Sequence, residues 1–153
     1  RGFQQVAGGL ELGRINIAAR GAGMAKGATD MALRYAMERK TFGKPIAEHQ
    51  AIQLKLAEMS TRASAAELLV KQAANKFDQG ERCDLEAGQA KFFASESAVQ
   101  NSLDAMRVFG GYSYSPEYEI ERFYRDAPLL CIGEGTNEIQ RMIIAKQMVA
   151  RVQ

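Results

Sequence analysis

Apolar side chains recur at helical intervals along almost the whole of this chain. Ile17, Gly21, Met24, Ala28, Met31 and Tyr35 are separated by alternating steps of four and three, which predicts one stripe of a helix from about Leu10 to Arg39. Ile52, Leu56, Met59, Ala63, Ala66, Val70, Ala73 and Phe77 keep the same alternation from about His49 to Asp78, the spacing of a long helix facing a bundle seam, and Gly80 supplies the stop. Asp84 is placed to cap a third helix whose Leu85, Phe92, Val99, Leu103 and Met106 share a face until Gly110-Gly111 ends it. Ser115-Pro116-Glu117 predicts a shorter fourth helix running to about Asp126, with Pro116 at its first helical position. A last helix is expected from Thr136, with Ile139, Met142, Ala145 and Val149 on its apolar side. Strand-like alternation of useful length, internal repeats and low-complexity stretches are missing from the pattern. The expected fold is all-α: an antiparallel up-and-down four-helix bundle with a short extra helix, one domain across residues 1–153.

The first helix is crowded with small residues: Ala18, Ala19, Gly21, Ala22, Gly23, Ala25, Gly27 and Ala28. Each glycine inside a helix costs about 1 kcal/mol relative to alanine, so the crowding predicts a neighbouring backbone at close range. Phe3 to Gly9 stands apart from the stripe and is expected to be the tail of a preceding domain. The chain opens on Arg1-Gly2-Phe3 instead of methionine and reads as part of a longer protein.

Composition narrows the function classes. At 153 residues, 46% hydrophobic and 25% charged, the chain has the make-up of a soluble globular domain large enough to close a core. Its net charge of +2 is spread through both signs, which argues against nucleic-acid binding by phosphate neutralisation. Cys83 and Cys131 are too few and too distant for a disulfide framework, and with His49 as the single histidine no metal site is expected. A reducing compartment fits best, and no apolar run is long enough to span a membrane.

Chemistry is concentrated in four motifs. The run Cys131-Ile-Gly-Glu-Gly-Thr-Asn-Glu-Ile-Gln-Arg141 delivers the carboxylate of Glu134 from a glycine-flexed loop onto the start of a helix. Read locally, Glu134 is a first-turn acid complementing the helix dipole. Arg39-Lys-Thr-Phe-Gly43 is locally a helix end with cations against the dipole, stopped by Gly43 and Pro45. Glu48-His49-Gln50 and Phe109-Gly110-Gly111, followed by Arg125-Asp126, complete the set. Taken together in this order, the motifs resemble the C-terminal helical domain of the flavin-dependent acyl-CoA dehydrogenases.

That resemblance implies a reaction and a division of labour. The family removes the α-hydrogen of an acyl thioester as a proton and passes the β-hydrogen as hydride to FAD. Glu134 matches the catalytic base, with Gly-Glu-Gly-Thr standing on the usual aromatic-Glu-Gly-Thr. A carboxylate is a weak base at its free pKa of about 4.3, so the site must exclude water and polarise the thioester carbonyl. In the family the backbone N–H of this glutamate and a ribityl hydroxyl of FAD do the polarising. By the same resemblance, Arg39, Thr41, Phe42, His49 and Gln50 touch the FAD of a neighbouring subunit, Arg39 and Thr41 at the pyrophosphate. Gly110 and Gly111 lie against its adenine half. Arg107 replaces the glutamine usual in relatives, and Thr136, Asn137 and Glu138 match the stretch that closes over the cofactor. Glu11, Arg14, Gly133 and Gly135 correspond to the thioester and pantetheine border.

Some relatives carry their base just before the arginine matched by Arg14, where Gly13 stands here, which strengthens the assignment to Glu134. Gly133 replaces an aromatic residue of several straight-chain enzymes, so a wider pocket for a branched, cyclic or bulky acyl group is expected. The implied partners are an acyl-CoA substrate, an electron-transfer flavoprotein and further copies of the chain, as a dimer or a dimer of dimers. The implied compartment is cytoplasmic, or the mitochondrial matrix in a eukaryote. The fragment by itself is expected to be inactive and to self-associate through exposed apolar surface. An acyl-CoA oxidase-type relative and a non-catalytic helical dimerisation module are the alternatives.

Overall fold

The computed structural model describes residues 2–152, with side chains from residue 9 onward. Its helices are α1 (Gly2–Glu38), α2 (Gln50–Asp78), α3 (Asp84–Phe109), α4 (Ile120–Ile132) and α5 (Asn137–Ala150), so the all-α bundle expected from periodicity is the fold. The side-chain contacts give the direction of each helix. Arg14 faces Asp84, Gly21 abuts Ala94, and Thr29 meets Asn101, so α1 and α3 run the same way. Lys76 meets Glu86 while Met59 meets Asn101, so α2 runs against them. Both α4 and α5 descend α3, from Ile120 beside Phe109 through Asn137 on Ser95 to Arg151 on Glu86. The result is up, down, up, down, with the fourth side made of two short helices interrupted at residues 133–136. The expected short extra helix and last helix thus lie end to end along one side of the bundle.

α3 is the hub, touching every other helix. A helix packed on several sides cannot be read from one stripe, and the expected face of α3 is only partly right. Leu85 is buried, but Phe92, Val99, Leu103 and Met106 are half-buried, while Ala87, Ala90, Ala94, Ala98 and Ala105 occupy the centre. Facing them, Ala18, Ala22, Ala25, Ala28 and Ala32 of α1 form a seam thin enough for close approach. At Gly21 an added Cβ would stand 2.8 Å from the Ala94 carbonyl, and at Gly27 it would meet the Phe123 ring at 3.0 Å. Gly23 differs: among the described residues nothing lies within 4 Å of such a Cβ.

Polar groups fix the register of α2 and α3. The buried Asp104 carboxylate receives Arg62 at 2.8 Å and Lys55 at 3.3 Å, and Asn101 donates to the carbonyls of Ala25 and Met59. Burial opposes the charge on Asp104, yet hydrogen bonds from Arg62, Gln100 and Lys55 hold its carboxyl below the usual range.

Several boundaries differ from the sequence expectation. The backbone of residues 3–9 continues α1 instead of forming a separate tail. Cys83, not Asp84, takes the N-cap position of α3, and Asp84 inside the first turn pairs with Arg82 and Arg14. Ser115 closes a turn of its own, its carbonyl accepting from Tyr118 N–H, which delays α4 to Ile120. α4 then passes Pro128 and reaches Ile132, because buried Ala127 and Leu130 offset the hydrogen bond proline forgoes. The face of α5 expected to be apolar and buried points outward: Ile139, Met142, Ala145 and Val149 are all exposed. Its inner positions hold Asn137 and Gln140, a polar interface that apolar periodicity does not reveal.

Candidate functional site

The expected site residues fall in two groups, one beside Gly13 and Arg14 in the first half of α1 and one at its C-terminal end. The first surrounds the break between α4 and α5. Gly133 ends α4, Glu134 and Gly135 follow with φ of 56° and 89°, and the Thr136 hydroxyl caps α5 by accepting from Ile139 N–H at 3.5 Å. A left-handed conformation costs a non-glycine residue roughly 1–2 kcal/mol, so Glu134 is held there by its surroundings. Buried Lys91 of α3 secures both ends of the break, donating to the Cys131 carbonyl at 3.1 Å and to Asn137 Oδ1 at 2.8 Å. Burial lowers the proton affinity of this ammonium group, while the Cys131 thiol, Glu138 and Glu96 act in the opposite direction.

The glutamate side chain crosses from the break to α1. A Cβ added to Gly13 would stand 2.5 Å from Glu134 Oε2 and 2.8 Å from its Cδ, so the carboxylate occupies the space a side chain at 13 would need. Its residue is otherwise exposed. The neighbouring Arg14 directs its guanidinium to Asp84 at 3.7 Å, and its buried Nε has no hydrogen-bond partner among the described residues. Burial, followed by the hydrogen bond and charge of Asp84, raises the Glu11 carboxyl above its ordinary value. Glu11 and Arg14 therefore share a charged cluster with Asp84, on the stretch of α1 that includes Gly13.

Asn137 departs from its expected place against a cofactor. It is 2% exposed, and its amide is taken up by Lys91, Ser95 and Glu96. Glu138, in contrast, is exposed in the first turn of α5, where the helix N-terminus and then Thr136 lower its carboxyl.

The second group forms a corner where α1 ends. Strands β1 (Lys40–Thr41) and β2 (Lys44–Pro45) make a small hairpin, with Thr41 opposite Lys44 and Phe42-Gly43 at the tip. Both tip residues have positive φ, 51° and 81°, the backbone of a two-residue hairpin turn, and Phe42 is 97% exposed. The hairpin is too short for alternation to announce it. Thr41 Oγ1 lies 2.9 Å from His49 Nε2, and Gln50 opens α2, exposed. Arg39, Thr41, Gly110 and Gly111 line an open groove of about 560 Å³ whose floor is aromatic. Tyr35 stacks on Phe109 at 4.2 Å, and the Arg39 guanidinium sits 5.6 Å from the Tyr112 ring centre. Nothing among the described residues lies within 4 Å of a Cβ added at Gly110 or Gly111, so both leave the groove open. Arg107 is absent from its lining and turns instead to Asp104 at 3.2 Å.

Sequence reading missed Lys91, Gln140 and the tyrosines of the groove. Gln140 donates from Nε2 to the carbonyls of Glu134, at 3.3 Å, and Gly135, at 3.1 Å. Its spacing of three from Asn137 marks an inward polar pair on α5, a signal that apolar periodicity does not contain. Lys91 left no comparable signal, since lysine is the residue type least expected at 0% exposure.

A helical bundle with an acidic break in its fourth side and a glycine-lined groove at the far corner defines a recognisable class of domain. The profile of "Acyl-CoA dehydrogenase, C-terminal domain" matches residues 1–149. The chain is 50% identical over 149 residues to 3-(aryl)acrylate reductase of Clostridium sporogenes, covering 97% of this chain and 40% of that protein. It is 42% identical over 151 residues to the caffeyl-CoA reductase-Etf complex subunit CarC of Acetobacterium woodii, covering 99% of this chain and 40% of that one. The structure of butyryl-CoA dehydrogenase from Megasphaera elsdenii superposes with a TM-score of 0.90 at 41% identity, over 92% of this chain and 37% of that one. The chain belongs to the acyl-CoA dehydrogenase family, where it corresponds to the C-terminal helical domain, and it spans about two fifths of the length of the curated relatives it matches.

Proposed function

We propose that this chain is the C-terminal part of an FAD-dependent acyl-CoA dehydrogenase in which Glu134 takes the α-proton of the acyl thioester. The observation that carries this reading is the lodging of the Glu134 carboxylate against Gly13, at the one break in the fourth side of the bundle. Held there, one carboxylate oxygen accepts the proton while the side chain stays within reach of a substrate lying along the start of α1. Gly133 keeps that approach open: a Cβ on it would begin 3.5 Å from the Leu129 carbonyl and 3.8 Å from Ile17, so a larger side chain would fill the space beside the base. A branched, cyclic or aryl acyl group fits that opening. The names of the Clostridium and Acetobacterium relatives specify aryl and caffeyl substrates, whereas the Megasphaera relative is a butyryl enzyme.

The far corner suits a dinucleotide. Arg39 offers a planar pair of donors for phosphate, Thr41 a hydroxyl already aligned by His49, Phe42 an exposed ring, and Gly110-Gly111 a bare backbone beside an aromatic floor. Bound FAD supplies the acceptor for the β-hydrogen as hydride. At a rise of about 1.5 Å per residue, the helix between Gly13 and Arg39 separates base and groove by roughly 39 Å, beyond the span of one extended flavin dinucleotide. The groove therefore serves the cofactor of a second copy, with Thr136 and Glu138 on the side of the first. Electrons pass to an electron-transfer flavoprotein, a partner contained in the name of the Acetobacterium relative. Two free cysteines fit a reducing compartment, the cytoplasm or the matrix of a mitochondrion, and no helix of the described residues is long and apolar enough to cross a membrane.

Two of the relatives are named as reductases, which supports a second direction for the same chemistry: Glu134, protonated, returns the proton to the α-carbon of an enoyl substrate whose β-carbon would take its hydride from reduced FAD. The test is Glu134→Gln in the full-length protein, assayed with linear, branched and aryl thioesters. Turnover is expected to fall by several orders of magnitude with FAD still bound. Unchanged turnover assigns the base elsewhere, and a strict preference for short linear chains rejects the widened pocket.

A further inference from the structure

Gln140 is the largest polar side chain whose burial neither helix packing nor the charge networks of the bundle explain. It lies on the inner face of α5 at 0% exposure, and its Nε2 donates to two consecutive carbonyls, those of Glu134 and Gly135. Both belong to residues with positive φ. Only the amide nitrogen can face two carbonyl oxygens, so the orientation of the group is fixed by chemistry. Its Oε1 is buried with no hydrogen-bond partner among the described residues. A buried amide left half satisfied costs stability, and an apolar side chain of similar length would avoid that cost. Gly135 is shaped around the same contact, because a Cβ there would stand 2.8 Å from Gln140 Nε2. Gly88 of α3 contributes from the other side, where a Cβ would approach Oε1 at 3.6 Å and Ile144 at 3.2 Å.

We infer that Gln140 is the positioning residue that holds the Glu134 backbone left-handed and thereby aims its carboxylate at the gap over Gly13. This rests on the reading of Glu134 as the proton acceptor. Lys91 clamps the two ends of the break at Cys131 and Asn137, but nothing else donates to the carbonyls at its middle among the hydrogen bonds of the described residues. Without the amide, residue 134 is free to return to the ordinary helical or extended basins. Its side chain then swings off α1 while both ends of the break stay in place.

The experiment is Gln140→Met in the full-length, FAD-loaded protein, with Glu134→Gln measured in parallel. Methionine matches the length of glutamine and removes the unpartnered oxygen. The thermal midpoint is expected to stay at or above that of the unchanged protein, while kcat falls about a hundredfold and KM changes little, the pattern of a displaced catalytic group. A crystal structure of the variant is expected to show the Glu134 carboxylate away from Gly13 and its φ negative. Gln140→Glu, which keeps the size but sets a carboxylate against two carbonyl oxygens, is expected to give the same displacement. Wild-type kcat in either variant, or a Glu134 still lodged at Gly13 in the crystal, overturns the inference. Should Glu134→Gln retain full turnover, the base assignment fails separately, and the crystallographic position of residue 134 alone judges Gln140.

Discussion

Glu134 and Gly13 fit together because one residue lacks what the other extends. The carboxylate reaches across from the break in the fourth side and fills the volume that any side chain at 13 would need, with Oε2 only 2.5 Å from an added Cβ. The obstacle is the far end of a flexible side chain, so the fold has no reason to fail when the gap is filled. Gly13→Ala in the full-length protein is therefore expected to leave the thermal midpoint unchanged or slightly raised, since alanine is the better helix former by about 1 kcal/mol. Its kcat is expected to fall tenfold or more as Glu134 is pushed aside, read by steady-state turnover. Glu134 was legible in the sequence through its motif, and Gly13 through the residue that relatives place there. Their contact was not, because they are far apart in the chain and only the docking of the broken fourth side onto α1 brings them together.

The helices show where small residues matter and where they do not. Gly21 lies at the α1–α3 crossing, 2.8 Å from the Ala94 carbonyl by its missing Cβ, and a backbone cannot move aside as a side-chain tip can. Gly21→Ala is expected to destabilise by about 1–3 kcal/mol through overpacking. Gly23 faces open space among the described residues, and Gly23→Ala is expected to stabilise by about 0.4–1 kcal/mol by restricting the unfolded chain. Chemical denaturation of the two variants checks the pair, and equal effects would remove the distinction. Periodicity gave the face of α2, which buries one stripe, and the existence of α1, although the alanines at the centre of the α1 seam lie beside the expected stripe of Ile17, Met24 and Met31. It failed on α3, which is surrounded, and on α5, whose inward face is an amide network centred on Asn137 and Gln140.

At the scale of the whole molecule, the base over Gly13 and the groove at the end of α1 are proposed to serve different cofactors. Roughly 39 Å of helix separates Gly13 from Arg39, and we therefore pair the base of one copy with the groove of another in the proposed reaction. Co-expression of two inactive full-length variants tests this: Glu134→Gln has an intact groove, and Arg39→Ala has an intact base. Mixed oligomers contain one site that combines both intact halves, and the co-expressed pair is expected to regain activity that neither variant shows alone. Failure to complement, with mixed oligomers present by mass spectrometry, would return both clusters to a single copy. The exposed Leu129, Ile132, Ile139 and Met142 around the break leave an apolar surface available for the rest of the protein or its partners.

The order of the residues alone determined that this chain is helical, roughly where its two longest helices run, and that an acid between two glycines begins the last one. Those features follow from short-range periodicity and local backbone freedom, which are properties of neighbours in sequence. The lodging of Glu134 over Gly13, the clamp from Lys91 and the amide of Gln140 beneath the break were decided only by the tertiary structure. The first two join residues far apart in the chain, and Gln140 reaches carbonyls five and six residues before it because α5 turns that face inward onto α3, so packing around α3 sets which buried donor meets which carbonyl.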